Sequence, residues 1–221
     1  MNQVLWHNLP PSRIFIMPRI LDLGCGVGDS WRKSGHEADD WQLVGVDIAR
    51  DRLRFAREKY GARGWSYVCA RGENLPLATG RFAGALCWLS LPYMHIPKAL
   101  AEIHRVLAPG GWFIATLHTP SFTWSEFRHA FPRLKPCLFR VFVLLNGMIL
   151  HFAGNVISVG GKAESCQTES GMRTAMRRAG FTAITFHRSN GKLLVRATRG
   201  DGAVSQVPAL QRVKSAGELS A

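Results

Sequence analysis

The stretch from Arg19 to Ser30, RILDLGCGVGDS, constrains the fold of this chain more than any other. It opens as a short apolar run in which Ile20, Leu21 and Leu23 suit a buried strand. It ends in a turn where Gly24, Gly26 and Gly28 remove side chains from the backbone. A strand that runs into such a turn belongs to an open α/β sheet, where ligands bind beyond the carboxyl ends of the strands. The stretch therefore predicts the floor of a ligand site, with Asp29 and Ser30 able to cap a helix after it.

The chain beyond it alternates. Gln42 to Val46 is an apolar run ending in Asp47, and Ala49, Leu53, Ala56 and Tyr60 recur at helical spacing until Gly61 stops them. Trp65 to Cys69 alternates as a strand, and Ala83 to Leu89 is another. Ile96 to Leu107 is an amphipathic helix ended by Pro109-Gly110-Gly111, with Trp112 to Leu117 following as a strand. Later, Met172, Ala175, Met176 and Ala179 face away from Arg173, Arg177 and Arg178, and Gly180 ends that helix. Ala183 to His187 and Lys192 to Thr198 form a closing antiparallel pair through Ser189-Asn190-Gly191.

The expected fold is therefore α/β: a Rossmann-like seven-stranded sheet, mostly parallel with an antiparallel closing strand, with helices on both faces. Residues 19–199 form this domain and 118–165 an apolar helical insertion. Residues 1–18 are a proline-rich lead-in that packs on the sheet or covers the ligand site, and 200–221 are a mobile tail.

Composition narrows the class. With 47% hydrophobic and 19% charged residues the chain can bury a core without staples. Five cysteines and no CxxC pair argue against a disulfide framework and against a metal site, and for a reducing compartment. No stretch reads as a signal peptide, so the cytoplasm is expected. The net charge of +13 fits an anionic partner (nucleic acid, an anionic membrane surface or a phosphorylated substrate), or arginine used generally for solubility.

The glycine turn distinguishes between cofactors. Dinucleotide sites use GxGxxG, whereas here the third position of that pattern is Asp29 and the spacing is GxGxG. Asp22, just before the first glycine, would repel a pyrophosphate and attract an ammonium. Asp47 can accept hydrogen bonds from ribose hydroxyls, or cap the next helix, and Ile48 offers an apolar face to a base.

In this order and spacing, LDLGCGVG, VGVD, ENLPL and ALAEIHRVLAPGGWFIATLH resemble the class I S-adenosylmethionine-dependent methyltransferases, the group that includes quinone-biosynthesis and small-molecule enzymes. The resemblance covers Arg19 to about His118 well and Thr168 to Thr198 more loosely. It implies S-adenosylmethionine as cofactor. Asp22 and the backbone of Gly24, Cys25 and Gly26 would hold the methionine part, Asp47 the ribose, and Ile48 the adenine. Gly72, Glu73, Asn74 and Leu75 would surround the adenine edge, and Leu89 and Ser90 would lie near the ammonium and the methyl group. Arg71 stands where many relatives carry an acidic residue for the adenine amino group, so Glu73, Asn74 or a backbone carbonyl must serve instead.

Methyl transfer is a direct displacement that rests mainly on alignment and exclusion of water. Where the nucleophile needs a base, Tyr93 and His95 are the catalytic candidates just beyond strand four, with His118 and His151 next. The insertion bears on the acceptor. Its aromatics and the run from Cys137 to Ile157 are edged by Arg128, Arg133, Lys135 and Arg140. Arg140, Asn146, Gly147, His151 and Asn155 interrupt that run, leaving stretches too short to cross a bilayer. It reads as a lid for a lipid-like small-molecule acceptor, seated peripherally on an anionic membrane, or as a buried helix pair or homodimer face. An RNA methyltransferase, or a cofactor-binding protein without turnover, are the alternatives; no separate nucleic-acid module accompanies the core.

Overall fold

Side-chain alternation along the first strand sets the layers. The computed structural model describes residues 18–29, 41–189 and 191–200. In it β1 (Arg19–Leu23), β2 (Gln42–Asp47), α1 (Arg50–Tyr60), β3 (Ser66–Cys69), β4 (Phe82–Cys87), α2 (Ile96–Val106) and β5 (Leu107–Leu117) come first. Then follow α3 (Pro120–Ala130), α4 (Leu134–Ala153), α5 (Glu169–Arg178), β6 (Phe181–Ser189) and β7 (Lys192–Arg199). Leu21 and Leu23 point to one face, where Ala85, Phe113 and Ala115 join the inner sides of α2 and α5. Ile20 points to the other, where Leu86, Trp112 and Ile114 meet Leu53, Ala56 and Tyr60 of α1.

The sheet has the order β3-β2-β1-β4-β5-β7-β6. β7 alone runs against its neighbours, pairing antiparallel with both β5 and β6. The seven strands and the antiparallel closing strand are as the sequence predicts. Because β1 leads out to β2 on one side while β4 lies on its other side, strand order reverses between β1 and β4, and a crevice opens there.

Several boundaries differ from expectation. Pro109-Gly110-Gly111 lies within β5: Leu107 pairs with Phe82 and Trp112 with Gly84, so the intervening residues form a bulge. Proline, lacking an N–H, is tolerated at such an irregularity. Asp29 pairs with Lys59 at 2.9 Å and accepts from the Tyr60 hydroxyl. The lead-in before Pro18, the helix expected after Ser30 and the tail beyond Gly200 lie outside the described residues.

The apolar run of the insertion is one continuous helix as far as Ala153. α4 spans 20 residues, with a mean hydropathy of 1.6 over an 18-residue window, long and apolar enough to cross a membrane by length and composition. Of the residues expected to interrupt it, Arg140, Asn146, Gly147 and His151 sit inside it toward the domain, their polar groups partnered, while Asn155 lies exposed beyond its end. Asn146 is 0% exposed. Its Nδ2 donates to the carbonyls of Ile157, Ala163 and Glu164 at 3.1, 3.2 and 3.0 Å, and its Oδ1 accepts from the Ile157 amide at 2.8 Å. At Gly147 a Cβ would lie 2.1 Å from Cys166 Sγ, so only glycine lets the returning loop approach the helix.

Candidate active site

The crevice is built from the ends of four strands. Leaving β1, the chain turns at Gly24, whose φ is +73°. A Cβ there would lie 2.2 Å from Ser90 Cβ. Ser90, just past β4, donates from Oγ to the Leu23 carbonyl at 2.7 Å and touches Cys87 Sγ at 3.0 Å. These contacts stitch β1 to β4 where the crevice begins. Leu89 beside it has φ +60°, a left-handed conformation that strains a residue other than glycine.

Asp47, at the end of β2, is 9% exposed. Its Oδ2 accepts from the Gly26 amide and its Oδ1 from the Ala49 amide, each at 2.9 Å. The carboxylate therefore caps the region before α1 and braces the glycine turn. Each oxygen keeps a further lone pair for a ligand hydroxyl. Ile48, next to it, is 67% exposed, an apolar surface left open.

A cleft of about 370 Å³ lies over these residues. Of the predicted site residues, Gly24, Asp47, Ile48, Gly72, Glu73, Leu89, Ser90 and Tyr93 line it. Asp22, Cys25, Gly26, Asn74 and His95 are not among the lining residues. Asp22 is fully buried beneath the turn, where its charge adds to burial in pushing the Cys25 and Cys87 thiols up. Asn74 is exposed, its amide closing a turn onto the Arg71 carbonyl at 3.1 Å. His95 precedes α2 with its Nδ1 buried and unbonded among the described residues.

Two expected roles change in detail. The Gly24 and Cys25 amides donate to the Val46 carbonyl at 2.7 and 3.1 Å, and the Gly26 amide is held by Asp47. The turn's amides are thus committed to the fold, and what it offers an ammonium is carbonyl oxygen and room: nothing lies within 4 Å of a Cβ built on Gly26. Glu73 Oε1 accepts from the His95 amide at 2.9 Å, so this carboxylate already anchors the start of α2. Arg52, Trp88 and Met94 also line the cleft and were not singled out from sequence. They belong to no spacing pattern, since only the tertiary fold brings them to one rim.

An adenosyl amino acid fits these residues. Asp47 retains acceptor capacity for vicinal hydroxyls, Ile48 is an unpacked apolar face beside it, and the glycine turn leaves open space. A methyltransferase-domain family model matches residues 20–111. A demethylmenaquinone methyltransferase from Thermus thermophilus is 31% identical over 168 residues, 74% of this chain and 74% of that protein. The chain belongs to the class I S-adenosylmethionine-dependent methyltransferases. A second demethylmenaquinone methyltransferase, from Symbiobacterium thermophilum, is 32% identical over 129 residues, 52% of this chain and 51% of its own length. A fatty-acid O-methyltransferase from Mycolicibacterium smegmatis is 28% identical over 127 residues, 57% of this chain and 46% of its own. The chain thus spans about half the length of these two relatives. Among solved structures, an S-adenosylmethionine-dependent methyltransferase from Mesorhizobium loti has a similar fold, with a TM-score of 0.57 at 20% identity, covering 83% of this chain and 91% of that one.

The methyltransferase cleft is lined at one end by Tyr93, which touches the insertion. The Tyr93 ring meets His118 edge-on at 5.8 Å, and His118 lies 4.8 Å from Phe122 at the start of α3. Gln167 grips the His118 backbone from both sides, accepting from its amide and donating to its carbonyl at 2.7 Å. Behind them Arg140 bridges Glu126 at 3.1 Å and Glu164 at 3.0 Å. Burial, then Glu164 and Glu126, push the Tyr93 hydroxyl up, so it is a phenol at neutral pH. Burial, then Arg140, pull His118 below the usual imidazole value, so it is neutral there. His151, the remaining histidine candidate, bonds through Nδ1 to Thr168 Oγ1 at 2.8 Å.

Proposed function

We propose that this chain transfers the methyl group of S-adenosylmethionine to a small, lipophilic acceptor by direct displacement. The observation that carries the reading is the continuity of the cleft, from Asp47 and Ile48 through Leu89 and Ser90 to Tyr93, beside which stand His118, Phe122 and the apolar helices α3 and α4. The cofactor supplies an electrophilic methyl on a sulfonium. Asp47 takes the ribose hydroxyls and Ile48 packs on the base. Leu89 and Ser90 fix the approach, and Tyr93 donates a hydrogen bond on the acceptor side. The neutral His118 imidazole is the base available to a hydroxyl or carbon nucleophile. The names of the relatives, demethylmenaquinone and fatty-acid methyltransferases, support an apolar acceptor. The place of action that follows from this reading is the cytoplasm, at its boundary with lipid.

Calorimetric titration with S-adenosylhomocysteine tests the cofactor half. Binding is expected, weakened at least about tenfold by Asp47→Ala. A folded sample that binds nothing, with the variant no different, would sink it. Labelled-methyl transfer tests the acceptor half: label is expected in the organic phase of a cell extract. Label confined to RNA, or none at all with cofactor bound, refutes the lipophilic acceptor.

A further inference from the structure

α4 has two faces of opposite fate. Val143, Asn146, Gly147 and Leu150 are buried against the domain. On the opposite side Leu134, Leu138, Val141, Leu145, Met148 and Phe152 recur every three or four residues and are 39–79% exposed. On an ideal helix these positions form one stripe about 27 Å long. Trp124, 54% exposed, and Phe131, 72% exposed, extend the apolar surface from α3 and the turn after it. Single exposed apolar residues need no explanation; a contiguous stripe of this length does.

The charges around the stripe indicate what covers it. From Phe127 to Ala163 the chain holds no Asp or Glu, while it holds Arg128, Arg133, Lys135, Arg140 and Lys162. Arg140, one of the sequence candidates for a lipid contact, is committed to Glu126 and Glu164 on the domain side. Arg128, Arg133, Lys135 and Lys162 are exposed, and Lys162 Nζ lies 5.0 Å from the Phe139 ring of α4. At the other end, the exposed Arg178 donates to the Ala153 carbonyl. An apolar stripe bordered by cations and free of carboxylates is complementary to an anionic lipid surface. A second copy is a poorer match: a two-fold contact would lay this face on itself, cations against cations with no acid to pair them.

We propose that α4 is the membrane-docking element of this protein, lying in the plane of an anionic bilayer surface with its outer stripe immersed and its inner face holding the domain. The helix does not cross the bilayer, because Asn146 and Gly147 tie its other side to the loop around Cys166. This extends the lipophilic-acceptor reading by bringing the chain to a bilayer that would hold such an acceptor, but it does not depend on turnover. Its test uses no cofactor, so either reading can fail alone.

Flotation of the full chain with phosphatidylcholine vesicles, with and without about 30% phosphatidylglycerol, is the experiment. Binding to the anionic vesicles is expected, with loss at about 0.5 M salt. Leu145→Glu combined with Met148→Glu should lower the bound fraction about tenfold or more. That variant should keep its circular dichroism and its S-adenosylhomocysteine affinity. Arg133→Glu with Lys135→Glu should weaken binding to anionic vesicles. Equal binding to neutral vesicles overturns the charge argument. A dimer that the Leu145/Met148 variant dissolves assigns the stripe to a second copy, and a monomer that ignores anionic vesicles assigns it to the chain's own remaining segments. Either result overturns the proposal.

Discussion

Replacing Asn146 by alanine should loosen the acceptor side while sparing the cofactor side. Its two Nδ2 hydrogens are shared among three carbonyls and its Oδ1 accepts one amide, three hydrogen bonds' worth to the segment returning from α4. Those to Ile157 and Glu164 lie near enough to solvent for water to replace part of what is lost; the bond to the Ala163 carbonyl is fully buried. Counting about 1 kcal/mol for each exchanged bond and up to about 2 more for a carbonyl left dry gives a loss of roughly 3–5 kcal/mol. That is a large share of the typical total of about 5–15 kcal/mol. Urea unfolding measures it, with Leu145→Ala on the outer stripe as a control expected to change stability by less than about 0.5 kcal/mol. Hydrogen exchange at the Ile157 amide should accelerate, and S-adenosylhomocysteine affinity should hold. Asn146→Asp should be worse than alanine, because it turns a carboxylate toward three carbonyls. A loss under about 1 kcal/mol, or an aspartate better tolerated than alanine, refutes the claim that this side chain holds the loop.

Other expectations follow from the same geometry. Gly24→Ala forces a Cβ to within 2.2 Å of Ser90 at φ +73°. It should cost about 2–4 kcal/mol of strain and overpacking, of which the double variant with Ser90→Gly recovers only the packing part, measured by a double-mutant cycle. Glu102 accepts from Arg105 at 2.8 Å and from the Leu75 amide at 2.7 Å, and Arg105 holds its carboxyl below the usual range. Its stabilisation is therefore present above the ordinary carboxylate value and is lost as pH falls through the lowered one. Glu102→Gln should be less stable by about 1–2 kcal/mol at neutral pH, and thermal melts should show that gap closing in acid. Arg140→Gln removes the cation that helps hold His118 down and frees two carboxylates near it. The His118 titration, followed by NMR, should move to higher pH; an unchanged or lower midpoint contradicts the coupling.

Much of the fold was legible because periodicity and punctuation agree. The alternation of Ile20 and Leu21 across the two cores, the helical spacing up to Tyr60 and the inner face of α2 need no tertiary information. Gly24 and Asp47 were legible for a related reason, since a bare turn and a carboxylate at strand ends are local features. What the sequence hid is what depends on a distant partner. Asn146 and Gly147 look like interruptions until the loop near Cys166 packs on them. Glu73 lines the cleft, but nothing local shows that it also accepts from the His95 amide. Gln167, fully buried, gives no local sign that it clamps His118 from both sides.

The same dependence on distant partners explains why the two halves of the cleft are held separately. The cofactor half is held by contacts among strand ends, Ser90 to Leu23 and Asp47 to Gly26, none of which involves the insertion. The proposed acceptor half is held through it. The Ser165 amide donates to the Pro92 carbonyl at 3.2 Å, next to Tyr93, and Glu164 beside it binds Arg140 of α4. α4 therefore carries its exposed apolar stripe on one side and, on the other, Arg140, which adds to burial in lowering His118 and binds the carboxylates that act on Tyr93. Anything that shifts this helix acts on the acceptor residues through Arg140 and Glu164 and leaves Asp47 and the glycine turn in place. A perturbation of the outer stripe should accordingly appear in the acceptor dependence of turnover, and not in cofactor affinity.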